Sequence, residues 1–330
     1  MAAGADHARW MGVALALAAR GRGRTSPNPS VGCVIVRDGR VVGRGWTQPG
    51  GRPHAEAMAL EQAGAAAAGA TVYATLEPCA HRSTRGPACA DLLVASQPAR
   101  VVVALGDPDP RTNGKGLARL ADAGIETITG VCAAEARASM AGFLSRLARG
   151  RPQVTLKLAT SLDGCIAMAD GESRWITGAA ARAHAHLERS RHETILVGRG
   201  TWDVDQPRLD VRLAGLEARA PVRVVMSTHA LDDDSVTRIE SPEAIATLPG
   251  DHLFVEGGAG AAAAFLAADL VDRLVLYRAP ILIGGGRPAL GDIGLGRLDA
   301  AHGRWTLADT RQLGSDRLEV YERVRCLPGS

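Results

Sequence analysis

Two series of short apolar strands alternating with helix-forming segments run along this chain, and they meet at Arg149-Gly150-Arg151-Pro152. Strands that alternate with helices bury their apolar faces as layers, with helices packed on a mostly parallel sheet. Gly, Pro and charge gathered in one four-residue run mark a domain boundary. Two α/β domains are therefore expected, residues 1–148 and 149–330. The length of 330 residues agrees, being long for a single core.

In the first series the spacing predicts a helix over 6–20, ended by Gly21-Arg22-Gly23, and strands over 31–36 and 40–46 around the hairpin signal Asp38-Gly39. An Ala-rich helix over 54–68 follows, then strand 71–76, helix 88–95 and strand 100–105. Helix 116–123, strand 125–128 and helix 133–147 complete the half. The second series reads as strand 154–160, helix 179–191, strands 194–197, 222–226 and 252–255, helix 259–268 and strand 273–277. Strand-like segments over 304–308 and 317–324 end it. No internal repeat is visible.

Composition narrows the function classes. Hydrophobic residues make up 46% and charged residues 22%, the balance of a globular enzyme. A net charge of +3 is too weak for a nucleic-acid surface, and 3% aromatics gives no base-stacking platform. The longest apolar stretches, such as 261–270, are broken by acids, so no membrane span is expected. Asp6 and the lack of an apolar run before a small-residue cleavage site argue against a signal peptide; a cytoplasmic chain is expected.

Six cysteines stand at irregular spacing: Cys33, Cys79, Cys89, Cys132, Cys165 and Cys326. Metal binding or burial is expected of them rather than a disulfide framework. Cys33, Cys132 and Cys165 lie among apolar or small neighbours and read as inert. The basic residues are nearly all arginine, and the only lysines are Lys115 and Lys157.

His54-Ala55-Glu56 stands at a helix start, Glu77-Pro78-Cys79 follows a strand, and Cys89 opens a helix. One imidazole and two thiolates leave one position of a tetrahedral Zn²⁺ open. Two thiolates also neutralise the ion, so activating water needs help from a nearby base. Residues i and i+2 on a helix point about 200° apart. Glu56 therefore does not share the ion with His54, but it can take a proton from water there and return it to a leaving amine. The helix start at Cys89 favours a thiolate. The pattern is the H-x-E…P-C…C signature of zinc nucleobase deaminases. Three plainer readings compete: His81 as a fourth ligand closing a structural site, Glu56 as a helix cap, and Cys79 and Cys89 as buried, metal-free thiols.

With P-N-P-S-V-G-C-V-I-V (27–36), H-A-E (54–56) and T-L-E-P-C-A-H (75–81), the chain resembles the bifunctional deaminase–reductase of riboflavin biosynthesis. The 80–88 loop between the two cysteines is one residue longer than the commonest pattern of that family. The second half carries the resemblance independently, through K-L-A-T-S-L-D-G (157–164), G-E-S-R-W-I-T (171–177), G-R-G-T (198–201) and V-E-G-G (255–258). The resemblance implies a cytidine-deaminase-like three-layer domain followed by a dihydrofolate-reductase-like domain, with Zn²⁺ and NADPH as cofactors. The implied substrate is a phosphorylated diaminopyrimidinone ribosylamine, deaminated in the first half and reduced to the ribityl form in the second. A homo-oligomer is expected.

Carried over position by position, the resemblance implies NADPH contacts at Ala159, Trp175, Thr201, Asp205, Thr228, Gly258 and Gly260. It implies substrate contacts at Lys157, Ser173, Arg189, Leu209, Arg212 and Glu256. Gln206 stands where an acid often precedes the proline, and Ser227-Thr228 replaces an Asp-containing strand end. Glycines after a strand let backbone approach a pyrophosphate at a helix N-terminus. Residues 258–263 fit G-x-G-x-x-A, but no acid follows about 20 residues on, so a Rossmann domain is not expected. Arg189 and Arg212 are candidates for a sugar phosphate, against solvated surface arginines. Lys157 can reach sugar hydroxyls or snorkel from its strand, Trp175 can be core, and Asp163 and Glu256 can cap turns. Lys115, in a glycine turn, offers a phosphate site or a plain loop.

Two rivals remain at this level. An RNA-editing deaminase would want a basic, aromatic-studded surface, which is missing. A deaminase whose second half only binds ligand or assembles subunits would not oxidise NADPH.

Overall fold

The computed structural model describes residues 2–81 and 85–325, so Cys326 lies outside the described residues. The chain divides into two compact units, Met1–Ala148 and Arg149–Ser330.

The first unit contains α1 (Ala2–Ala18), β1 (Gly32–Arg37), β2 (Arg40–Trp46), α2 (Ala55–Ala63), β3 (Thr71–Ala74) and α3 (Cys89–Ser96). It continues through β4 (Arg100–Val103), α4 (Lys115–Asp122), β5 (Glu126–Thr129), α5 (Ala133–Ser139) and α6 (Ala141–Arg149). The sheet order is β2-β1-β3-β4-β5. β1 runs antiparallel to both neighbours, while β3, β4 and β5 are parallel. Asp38 and Gly39 both take positive φ, 50° and 71°, as the two-residue turn between β1 and β2 requires.

Alternation along β1 and β2 fixes the layers. Gly32 lies against α1, where a Cβ would sit 1.9 Å from the Ala14 carbonyl oxygen. Gly43 and Gly45 lie against α2, where a Cβ would come within 2.2 and 2.3 Å of the carbonyl oxygens of Ala59 and Ala55. Gly45 pairs with Cys33, the neighbour of Gly32, so the two helices cover opposite faces. The missing side chains let α2 lie directly on the sheet, and this fixes the height of its N-terminus. Ile35, Val72, Leu93, Val102 and Leu120 fill the core.

The second unit contains β6 (Gln153–Thr160), β7 (Cys165–Ala167), α7 (Ala179–Arg189), β8 (Thr194–Gly198), α8 (Arg199–Asp205), β9 (Val222–Met226), β10 (Thr237–Ile239) and β11 (His252–Val255). Then come α9 (Ala259–Ala267), β12 (Arg273–Arg278), β13 (Arg287–Pro288), β14 (Trp305–Leu313) and β15 (Asp316–Arg323). Its main sheet has the order β10-β9-β8-β11-β6-β12-β15-β14. The first six strands are parallel, and β15 and β14 close the far edge antiparallel. On one face Val154, Leu156 and Leu158 of β6 pack with Ala262 and Phe265 of α9. On the other, Ala159, Val275 and Tyr277 pack with Ala181 and Ala185 of α7.

Sequence and structure differ in details with physical causes. The helix expected over 54–68 stops at Ala63, because Gly64 turns to φ 52°. The helix expected over 133–147 breaks at Met140 into α5 and α6. The short elements β7, α8 and β10 carry too few residues for a periodic signal.

The Arg149–Pro152 run is pinned to the second unit. Arg151 Nη1 and Nη2 donate to Asp272 at 2.6 and 2.9 Å, Arg149 Nη1 donates at 2.9 Å, and the Val154 N–H adds a fourth bond. Arg151 and Asp272 are both buried. Arg151→Ala should lower the unfolding free energy of a 149–330 fragment by about 1–3 kcal/mol, measured by urea titration, since Asp272 keeps Arg149 as partner. An unchanged midpoint would show the run to be a free tether.

Candidate active site

In the first unit three side chains from different elements converge. His54 is the N-cap of α2, with extended backbone (φ −73°, ψ 162°), and Cys89 is the first residue of α3. Cys79 lies beyond the end of β3. His54 Nδ1 sits 3.3 Å from Cys89 Sγ and 3.6 Å from Cys79 Sγ. One ligand atom from each residue lies within 4.8 Å of the others. The Asn28 amide nitrogen, 2.9 Å from His54 Nε2 and bonded to the Gly51 carbonyl at 2.9 Å, holds the ring so that Nδ1 faces the sulfurs. Asn28 belongs to the P-N-P segment, yet nothing in its spacing announced this contact.

Electrostatics suit a cation. Hydrogen bonding from Cys89, with help from His54, pulls the Cys79 thiol down to about 4. The Cys89 backbone N–H also donates to Cys79 Sγ at 3.2 Å. The same shared bond and burial push the Cys89 thiol up. Two sulfurs competing for one proton, with an imidazole nitrogen beside them, form a donor set that a soft divalent ion satisfies. The residues fit Zn²⁺.

Glu56, on the first turn of α2, is buried, and its carboxyl is raised, first by burial; it is hydrogen bonded to Cys89. The separation of His54 from Glu56 arises from the bend at the N-cap rather than from opposite sides of a helix, because His54 precedes α2. His81 turns away to Thr112, 3.3 Å from its Oγ1, and is not one of the converging groups. Above His54 and Cys89 opens a cleft of about 240 Å³ rimmed by Arg52, Arg85, Pro87 and Leu92. The two rim arginines escaped sequence reasoning, since arginine is this chain's ordinary surface residue. The glycine turn at Lys115 is not a phosphate cradle: Gly114 and Gly116 donate their amides to Glu77, and Lys115 Nζ donates to the Pro110 carbonyl at 2.9 Å.

In the second unit Ala159, Thr201, Glu256 and Gly258 lie at or just past the carboxyl ends of the parallel strands β6, β8 and β11, where open α/β sheets bind ligands. Glu256, just past β11, accepts from Arg189 Nε at 2.5 Å and Nη2 at 2.8 Å, and Lys157 Nζ lies 3.9 Å away. Burial alone would push the Glu256 carboxyl up; the Lys157 and Arg189 cations hold it below its ordinary value. Arg189 Nη1 donates to the Asp210 carbonyl at 2.9 Å, next to buried Leu209. Three of the five N–H groups of Arg189 are thus engaged by Glu256 and Asp210. Arg212 is half-exposed, with Nε and Nη2 on His186 Nε2 at 3.3 and 3.2 Å. Burial, then the Arg189 and Arg212 cations, lower His186, so its neutral ring can accept from Arg212.

Of the cofactor candidates, Thr201 and Gly258 lie together. Thr201 Oγ1 donates to the Gly257 carbonyl at 3.4 Å, and a Cβ on Gly258 would sit 2.7 Å from that Oγ1. The N-terminus of α9 at Gly258 has no side-chain cap, and a Cβ at Gly260 would meet nothing within 4 Å. Open amides beside a bare backbone fit the pyrophosphate of a dinucleotide. Asp205 accepts from Arg174 Nη2 through its carbonyl at 3.0 Å, next to Trp175. Trp175 is 66% exposed rather than core. It lies under Arg182 and borders a cleft of about 390 Å³. Ala159 stands on β6 opposite Tyr277. Thr228 is exposed against His229, and Ser173 is partly buried. Asp163 caps a turn, its carboxylate taking the Ile283 and Gly284 amides.

Comparison with known proteins decides the family. Residues 5–105 match the cytidine and deoxycytidylate deaminase zinc-binding region, and residues 152–318 match the RibD C-terminal domain. The riboflavin biosynthesis protein RibD of Escherichia coli is 39% identical over 327 residues, covering 83% of this chain and 88% of that protein. The chain belongs to the RibD family. The RibD protein of Mycobacterium tuberculosis is also 39% identical, over 93% of this chain and 95% of its own. The structure of Acinetobacter baumannii RibD superposes with a TM-score of 0.85 at 36% identity, covering 97% of this chain and 99% of that one. A deaminase/reductase from Thermotoga maritima gives 0.85 at 31% identity, over 96% and 99%. This RibD chain is a bifunctional enzyme of riboflavin biosynthesis, a deaminase and a reductase whose cofactors are Zn²⁺ and NADPH. Its architecture is the cytidine-deaminase-like layer followed by the dihydrofolate-reductase-like sheet. No helix among the described residues is long and apolar enough to cross a membrane.

Proposed function

We propose that residues 1–148 deaminate a 2,5-diamino-6-ribosylamino-4(3H)-pyrimidinone 5′-phosphate and that residues 149–330 reduce its ribosyl side chain to ribityl. The Thermotoga maritima protein is a diaminohydroxyphosphoribosylaminopyrimidine deaminase/5-amino-6-(5-phosphoribosylamino)uracil reductase. The observation that carries the reading is the convergence of His54, Cys79 and Cys89 beside buried Glu56. Zinc held there supplies Lewis-acid activation of water at neutral pH. Glu56 takes the proton of the attacking water and delivers it to the departing amine nitrogen.

In the second half NADPH supplies hydride when bound. Thr201, Gly258 and Gly260 would hold its pyrophosphate, with Ala159, Trp175, Asp205 and Thr228 as its further contacts. Lys157 and Glu256 face the ribosyl hydroxyls, Ser173 and Leu209 border the substrate, and Arg189 keeps Glu256 ionised and oriented. Arg212, half-exposed, takes the 5′-phosphate. A cytoplasmic homo-oligomer belongs to the same reading, supported by the exposed side chains of Leu162, Ile281 and Leu282. Light scattering tests it.

The test feeds the diamino substrate and NADPH to the enzyme and identifies products by mass. The expected product has exchanged one amino group for a carbonyl oxygen from water and gained two hydrogens. After zinc is stripped with a chelator, deamination should stop, while reduction of pre-deaminated substrate should continue. Reduction that fails with zinc removed and returns with zinc would overturn the division of labour.

A further inference from the structure

Cys79 and Cys89 are joined by the 80–88 loop, yet both are tied to a third element. Glu77, two residues before Cys79, is buried. Its carboxylate accepts four backbone N–H groups: Asp107 at 3.2 Å, Gly114 at 3.0 Å, Gly116 at 3.0 Å and Leu117 at 3.2 Å. The last three are the N-cap and first-turn amides of α4, which has no cap from its own side chains. Glu77 therefore caps α4 from outside. The contact is tight, since a Cβ on Gly116 would sit 2.1 Å from the Pro78 carbonyl oxygen. At the other cysteine, Arg119 of α4 donates to Asp91 at 2.7 Å, and Asp91 stands two residues after Cys89.

We infer that α4 is the brace setting the separation of the two thiolates, with Glu77 as its positioning residue. Zinc affinity then depends on Glu77 and α4 rather than on the length of the 80–88 loop. Four amides on one carboxylate fix the backbone that ends in Cys79, and such outer partners tune a site by about 10–100-fold in metal affinity. The inference rests on the zinc assignment proposed above.

The experiment uses the full chain, stripped of metal and titrated with zinc against a competing chelator. Cobalt(II) serves as a second probe through its thiolate charge-transfer band. Glu77→Gln keeps the volume but replaces one acceptor oxygen with an NH₂ group. In a variant whose circular dichroism matches wild type, zinc should bind about 10- to 100-fold more weakly and the cobalt band should shift. Deleting Ser83 should change zinc affinity less than about threefold, a limit set well below that range. A folded Glu77→Gln chain that binds zinc like wild type overturns the inference, as does a Ser83 deletion that costs as much as Glu77→Gln. Should Glu77→Gln not fold, Arg119→Ala decides: a loss of more than about threefold supports the brace, and a smaller change overturns it. Wild-type protein that takes up no zinc would instead overturn the metal assignment.

Discussion

Glu56→Gln should leave the chain folded and zinc-loaded while deamination falls about 10²- to 10⁴-fold, the usual contribution of a positioned acid–base group. Gln matches Glu in volume and still meets the Cys89 sulfur, but it cannot carry a proton between water and amine. His54, Cys79 and Cys89 remain, so zinc content by metal analysis should stay at one per chain. Reduction of pre-deaminated substrate should be unaffected. Stability adds a check with a definite sign. Burial raises the Glu56 carboxyl, so the folded state disfavours its charge. That penalty is absent below the ordinary carboxylate range, where both states are protonated, and it grows as pH rises through the folded value. With zinc removed, the Gln variant should therefore melt no lower than wild type at neutral pH, with any gain vanishing in acid. Zinc lost from the variant, or deamination kept, would remove Glu56 from the proton-transfer role.

The deaminase half was legible because its chemistry is compressed into short motifs. H-A-E and P-C need only a helix start and a strand end to bring their ligands together, and Cys89 needs only a second helix start. What stayed hidden were groups acting through backbone. Glu77 looked like a mere member of its motif, yet it organises a loop 30 to 40 residues away. Asn28 orients His54 across a gap that no periodicity encodes. In the reductase half the parallel strands were readable as apolar runs, and their carboxyl ends collect Ala159, Thr201, Glu256 and Gly258. Partners were harder. Sequence places Arg189 and Glu256 on different elements, 67 positions apart, and offers no means of pairing them. Both arginines therefore read as phosphate candidates, and what distinguishes them is the Arg189–Glu256 ion pair.

That distinction predicts different failures for Arg189→Ala and Arg212→Ala. Arg189 and Glu256 are largely removed from water, with side-chain exposures of 13% and 9%. Deleting the arginine leaves a buried carboxylate with Lys157 at 3.9 Å as its remaining ion-pair partner. Breaking such a pair costs about 3–5 kcal/mol. Arg189→Ala should therefore lower the melting temperature and impair reduction alike for phosphorylated and dephosphorylated substrate. Arg212 has a side-chain exposure of 54% and contacts His186 and Asp210, so its loss should cost less than about 0.5 kcal/mol in stability. A phosphate needs fixed donors, and the planar fork of arginine supplies them. One charge-assisted bond contributes about 1.5–3 kcal/mol, so Arg212→Ala should raise KM about 10- to 100-fold for the phosphorylated substrate. The dephosphorylated substrate should bind the variant and the wild type equally. Measuring both substrates on both variants, with melting curves alongside, separates the roles. Equal losses on the two substrates from Arg212→Ala would take the phosphate away from Arg212, and a phosphate-selective loss from Arg189→Ala would return it to Arg189.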